Sequence, residues 1–290
     1  MITSLQDDSR EGSRLVRGFV CGLMMAMLAG AGSLVANAGE VHGPWTLGHG
    51  DLSVTYSGTG NSFGSEVHLH SGAVVDGDTL TADGHGEPDK IQIIVPAAAN
   101  LRRINNPTGF FHDPEEEGYD FTGAAFSATG AAVGGNLWML GGAGDAAHYG
   151  TPFVGLSAEE VAGTWNPNSI SLTLGTVAFD GSAYGTTGGV FSFYDDSTLT
   201  AKWSSQANFT QQSVSLVPGA GHVHGLMFFS QPGTYQVTLL SSGLRADETA
   251  VGGSAVYTFQ VVPEPSSIAL AGLGVAGLAG AALRRRMRKQ

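Results

Sequence analysis

The sequence predicts an all-β ectodomain, an antiparallel β-sandwich of jelly-roll type over residues 39–262, and three observations predict it. Short stretches that alternate apolar with polar side chains recur through this region, as half-buried strands require. Turns rich in Gly, Asn, Pro and Asp separate them. Helical periodicity is nearly absent, and many short strands between Gly-rich turns are the pattern of a sandwich. The whole chain has 290 residues, 44 of them glycine, a length that accommodates one large β domain.

Taken in order, the alternating stretches are 51–56, 66–70, 90–95, 169–174, 189–194, 235–240 and 256–262. The run Leu137-Trp138-Met139-Leu140 has no alternation and fits a fully buried strand, inside an otherwise loop-like region from 130 to 149. One helix start is expected at Ser157, where Glu160 three residues later completes a capping box. The segment 84–89, with His85, Glu87 and Asp89, has oxygen donors on a Gly-rich stretch but not the spacing of an EF-hand, and fits a solvated turn. The acidic segment 112–120 fits a solvated loop. Trp45, Trp138, Trp165 and Trp203 are expected in the core, although four tryptophans would also serve as a sugar-stacking platform.

Both ends have the composition of targeting segments and stand outside the fold argument. Arg10, Arg14 and Arg17 precede an apolar run over 19–35, and Ala36-Asn37-Ala38 ends it with a small-x-small pattern. Residues 1–38 are therefore expected to be a signal peptide removed by signal peptidase. The one cysteine, Cys21, lies within that run, so disulfides are not what stabilises the exported body. At the other end Pro263-Glu264-Pro265 leads into an apolar stretch over 266–283 and then Arg284, Arg285, Arg286, Arg288 and Lys289. That stretch is barely long enough to span a bilayer, and the basic cluster would stay cytoplasmic. The body is thus expected beyond the inner membrane. It carries five basic residues against 21 acidic ones, a net charge of −16, which disfavours nucleic acid and anionic lipid and favours cations.

Histidine supplies the chemistry. His222-Val223-His224 and Glu66-Val67-His68-Leu69-His70 each place imidazoles at i and i+2, on one face of a strand. Paired strand histidines are one way to hold a metal ion rigidly. Decoration of a wet face is the bland alternative, and two copies among nine histidines weigh against it. His49 and Asp51 precede another strand, Asp51 being a ligand, an acceptor that fixes the tautomer of a ligating histidine, or a turn cap. The candidate metal ligands are therefore His49, Asp51, His68, His70, His222 and His224. Without thiolate the donor set suits Zn2+, Cu2+ or Ni2+, with zinc first. His-Glu-x-x-His and Walker A sequences do not occur.

Two resemblances add to this. Pro-Glu-Pro, a Gly/Ala/Leu-rich apolar stretch and an Arg-rich end, over 262–290, resemble the PEP-CTERM sorting signal. That resemblance implies processing by an exosortase after transit through the inner membrane, with delivery to the cell envelope, outer surface or matrix. The motifs Gly48-His49-Gly50-Asp51, Phe153-Val154-Gly155-Leu156-Ser157, Thr164-Trp165-Asn166 and Gly221-His222-Val223-His224 with Pro232-Gly233-Thr234-Tyr235 resemble the choice-of-anchor M domain over roughly 45–262. That family's bacterial surface proteins vary their C-terminal anchor and are related to repeats found beside metal-transport genes, which implies metal binding and zinc first. The favoured expectation is a non-enzymatic envelope protein that captures a transition metal or is stabilised by one. An adhesin or matrix module binding exopolysaccharide, and a metal-dependent hydrolase, are the alternatives.

Overall fold

The computed structural model describes residues 40–105, 120–166 and 170–263. The expected signal peptide, the apolar stretch over 266–283 and most of the acidic 112–120 segment lie outside the described residues. All described residues fall within one compact unit, and no helix among them is long and apolar enough to cross a membrane.

Among the described residues fifteen strands join one sheet. In chain order they are β1 (Gly43–Thr55), β2 (Gly64–Leu69), β3 (Val74–Val75), β4 (Asp78–Thr79), β5 (Gly84–Gly86), β6 (Ile91–Val95), β7 (Trp138–Leu140), β8 (Pro152–Ser157), β9 (Ile170–Asp180), β10 (Phe191–Asp195), β11 (Thr200–Ser204), β12 (Val214–Leu216), β13 (His222–Phe229), β14 (Gly233–Leu244) and β15 (Ala250–Val261). The main path runs β11-β10-β13-β8-β1-β6-β15-β14-β9-β12, with β2, β3 and β7 attached to it and β5 and β4 pairing β2 and β3. Its two ends nearly meet. The Gln212 N–H donates to the Lys202 carbonyl at 2.9 Å and the Trp203 indole to the Gln212 carbonyl at 2.9 Å, two residues before β12 begins at Val214. The sheet is therefore barrel-like and nearly closed.

All seven alternating stretches fall on strands, but the expected antiparallel sandwich needs correction. Three pairings, β1 with β6, β1 with β8 and β15 with β6, are parallel. Alternation reports which side chains share a face and says nothing of strand direction, and parallel neighbours are joined by long crossovers that no local turn signal announces. The expected helix at Ser157 is also absent. Ser157 ends β8, and its hydroxyl accepts from the Glu159 N–H at 3.0 Å, which makes a turn. The one α-helix among the described residues, α1 (Ala143–Tyr149), falls in the region expected to be loop. It has only seven residues, too few for a periodic pattern to register.

Alternation fills the interior. Leu52 and Val54 of β1, Val67 and Leu69 of β2, Val154 and Leu156 of β8, and Met227 and Phe229 of β13 belong to one buried cluster with Trp45, Trp138, Trp203 and Phe259. Each such side chain contributes about 1.5–3 kcal/mol on burial. On the opposite face of β13, Leu226 and Phe228 pack with Phe121, Phe126, Leu137, Met139 and Tyr194 in a second, smaller cluster. Arg103 pins the covering segment there by donating to the carbonyls of Phe121, Gly123 and Ala131. Three tryptophans are core as expected, whereas Trp165 is only partly buried against the main cluster.

β1 holds both a core residue at Trp45 and outward residues at His49 and Asp51, all odd-numbered, and strict alternation forbids that. A bulge resolves it: Trp45 and Leu47 pair with the consecutive residues Val75 and Val74 of β3. Gly48, at φ +81, takes the turn, and a side chain there would meet the Ala73 backbone at 2.6 Å. One extra residue reverses the parity of the strand. Gly50 and Leu52 then face inward while His49 and Asp51 face outward.

Candidate metal centre

The outward face of five neighbouring strands carries the histidines, and backbone register puts them in rows. His85 of β5 is opposite His68 of β2, His68 is opposite Asp51 of β1, Asp51 is beside Gly155 of β8, and Gly155 is opposite His224 of β13. In the flanking row Glu66 is opposite Ser53, Ser53 beside Ser157, and Ser157 opposite His222. His70 follows β2 directly, and its N–H donates to the His49 carbonyl at 3.0 Å, which holds those two residues side by side.

The result is a continuous track of rings. Centroids are 4.7 Å apart for His85 and His68, 4.9 Å for His68 and His70, 4.3 Å for His70 and His49, 4.8 Å for His49 and His222, and 4.4 Å for His222 and His224. Phe153 closes the far end, stacked on His224 at 4.1 Å and on His49 at 4.7 Å.

Asp51 is the centre of this track, with no exposed surface. His70 Nε2 donates to its Oδ2 at 3.0 Å, while His49 Nε2 stands 3.6 Å from Oδ1 and His222 Nδ1 3.6 Å from Oδ2. His222 Nδ1 also lies 3.5 Å from Glu159 Oε1. Burial alone would push the Asp51 carboxyl up; its contacts with His49 and His70 and the charge of His222 outweigh this and hold it below the ordinary carboxylate value. His224 is pulled down to about 4, first by burial and then by the neighbouring imidazoles of His222 and His49, so this ring is neutral near pH 7.

His49, Asp51, His70 and His222 offer ligand atoms that all lie within 4.8 Å of one another. Donors around a tetrahedral zinc, each about 2.0–2.1 Å from the ion, stand roughly 3.3–3.4 Å apart. The contacts at 3.0 and 3.6 Å bracket that spacing. His49 Nε2, Asp51 Oδ1 and His222 Nδ1 are buried without hydrogen-bond partners, and a buried polar atom left so costs about 1–3 kcal/mol. Gly155 keeps the middle of the site open, because a Cβ there would overlap Asp51 Oδ1 and come within 3.2 Å of His224 Cε1. The donor set, three imidazoles and a carboxylate, fits Zn2+, Cu2+ or Ni2+ by ligand type.

Of the six candidate ligands, four converge. His224 lies beside them, stacked on Phe153, and His68 faces Glu66 and His85 instead. Sequence reasoning missed His85, Glu159 and Gly155. His85 sits on β5, a three-residue strand and no solvated turn, and it is the β2–β5 register that brings it to His68. Elsewhere, Trp165 lines a concavity of about 200 Å³ with Tyr56, Gly163, Arg245 and Asp247.

No curated protein and no solved structure gives a significant match to the chain, and the resemblance to the choice-of-anchor M domain finds no support in these comparisons. Residues 261–286 match the PEP-CTERM protein-sorting motif, and by that motif the chain is an exported, exosortase-sorted surface protein.

Proposed function

We propose that this surface protein binds a transition-metal ion, zinc first, through His49, Asp51, His70 and His222, for metal capture outside the inner membrane or for stability of the displayed domain. The observation that carries the reading is the convergence of buried, unpartnered donor atoms from β1 and β13 on one buried carboxylate. The net charge of −16 on the body draws cations toward it. Four protein donors fill a tetrahedral shell, as in structural sites, whereas a catalytic zinc keeps one position open. The reading is therefore non-enzymatic, and the hydrolase alternative loses weight.

Exopolysaccharide binding is the second reading, and the partly exposed Trp165 beside Tyr56 and Arg245 is what favours it. At about 200 Å³ that concavity is smaller than the roughly 300–1,000 Å³ of a small-molecule site. The test is calorimetric zinc titration of the metal-stripped full-length chain. A tight site in the wild type that His49→Ala and His222→Ala each weaken at least a hundredfold supports metal binding. Heat of binding equal in all three overturns it.

A further inference from the structure

We propose that the same sheet face holds a second divalent transition-metal ion, bound by Glu66, His68 and His85. It rests on the reading above only for the class of metal, because its ligands are different residues. His68 and His85 are direct cross-strand partners, and their rings stack at 4.7 Å. Glu66 is two residues before His68 on β2 and so projects to the same face. Its Oε1 is 2.8 Å from His85 Nδ1, so an ion would displace the proton those two atoms share. The third donor is already desolvated: His68 is 8% exposed, and its Nδ1 is buried without a hydrogen-bond partner. Ligand atoms of all three residues lie within 4.8 Å of one another.

Three protein donors leave a coordination position for water, and the His85 side chain is 46% exposed. The second ion is therefore held more weakly and exchanges with solvent more readily than the first. His68, His70 and Asp83 also bring ligand atoms within 4.8 Å of one another. His68 of the second site and His70 of the first thus share an intermediate set of donors with Asp83.

The experiment is zinc titration of the metal-stripped full-length chain, read by calorimetry and by elemental analysis after desalting, with thermal melting to show that each variant is folded. The wild type should take up two ions per chain in two steps at least tenfold apart. His85→Ala and Glu66→Gln should each lose the weaker step and keep the tight one within twofold. His222→Ala should lose the tight step and keep the weaker. One ion in the wild type, with His85→Ala identical to it, overturns the second site and leaves the first standing. Two ions that persist in both His85→Ala and Glu66→Gln place the second ion elsewhere and overturn the assignment. No ion in any variant overturns both sites.

Discussion

Gly155 lies beside Asp51 in the parallel pairing of β8 with β1, and the Asp51 carboxylate occupies the space that a side chain at 155 would fill. Only hydrogen at position 155 lets a buried carboxylate stand between the imidazoles of His49 and His222. The parity reversal between Trp45 and Leu47 turns His49 and Asp51 outward, and the gap at Gly155 gives the carboxylate room.

Gly155→Ala is expected to weaken zinc binding at least tenfold and to destabilise the metal-free protein by about 1–3 kcal/mol, the usual cost of overpacking. Gly252→Ala, whose added carbon would meet only the Ser241 carbonyl at 3.6 Å, should leave both unchanged. Zinc titration and urea unfolding of the two variants check this. Equal affinity in Gly155→Ala and wild type would show that the gap does not serve the metal.

Zinc affinity should be lower at pH 5.5 than at pH 7.5, with more than one proton taken up per ion released. Ligating imidazoles must be neutral, so protons compete with the ion. Asp51, held below the ordinary carboxylate value, stays ionised across that window, so imidazole protonation sets the slope. Titration at pH 7.5 and 5.5 in buffers of different ionisation heat counts the protons. A pH-independent affinity would exclude the histidines as ligands.

Without metal, His224 makes stability pH-dependent with a definite sign. Its folded value of about 4 lies below the unfolded value of about 6.5, so the unfolded chain binds the extra proton first. The stabilisation is fully present above about pH 6.5 and is lost progressively as pH falls toward 4. Urea midpoints between pH 7 and 4 should therefore fall less steeply in His224→Phe, a ring that keeps the stack on Phe153, than in the wild type. Parallel curves would contradict the assignment.

Tyr235 closes the turn between β13 and β14. Its hydroxyl donates to the Gln231 carbonyl at 2.8 Å and accepts from the Gln231 N–H at 3.1 Å, around the Pro232-Gly233 bend. Tyr235→Phe should cost about 0.5–1.5 kcal/mol for each hydrogen bond lost, with no change in zinc affinity. A loss of affinity as well would mean that the turn sets the position of His222.

Much of this was legible in the sequence. Period-two alternation located seven strands and put His68 with His70, and His222 with His224, on shared faces. Strand order was not legible, because parallel pairing of β1 with β8 joins residues about a hundred positions apart without a local signal. For that reason the pairs could not be divided between sites: His70 belongs with Asp51, but His68 belongs with His85, whose three-residue strand is too short to show alternation. Ser157 and Glu160 have the spacing of a helix cap, yet Ser157 is the last residue of a buried strand, and tertiary pairing overrode the local pattern.

The most direct measurement is anomalous diffraction at the zinc absorption edge from crystals of the zinc-loaded protein. A strong peak is expected about 2.0–2.2 Å from donor atoms of His49, Asp51, His70 and His222. A crystal in which those four side chains are well ordered at saturating zinc, with no anomalous peak among them, would contradict it.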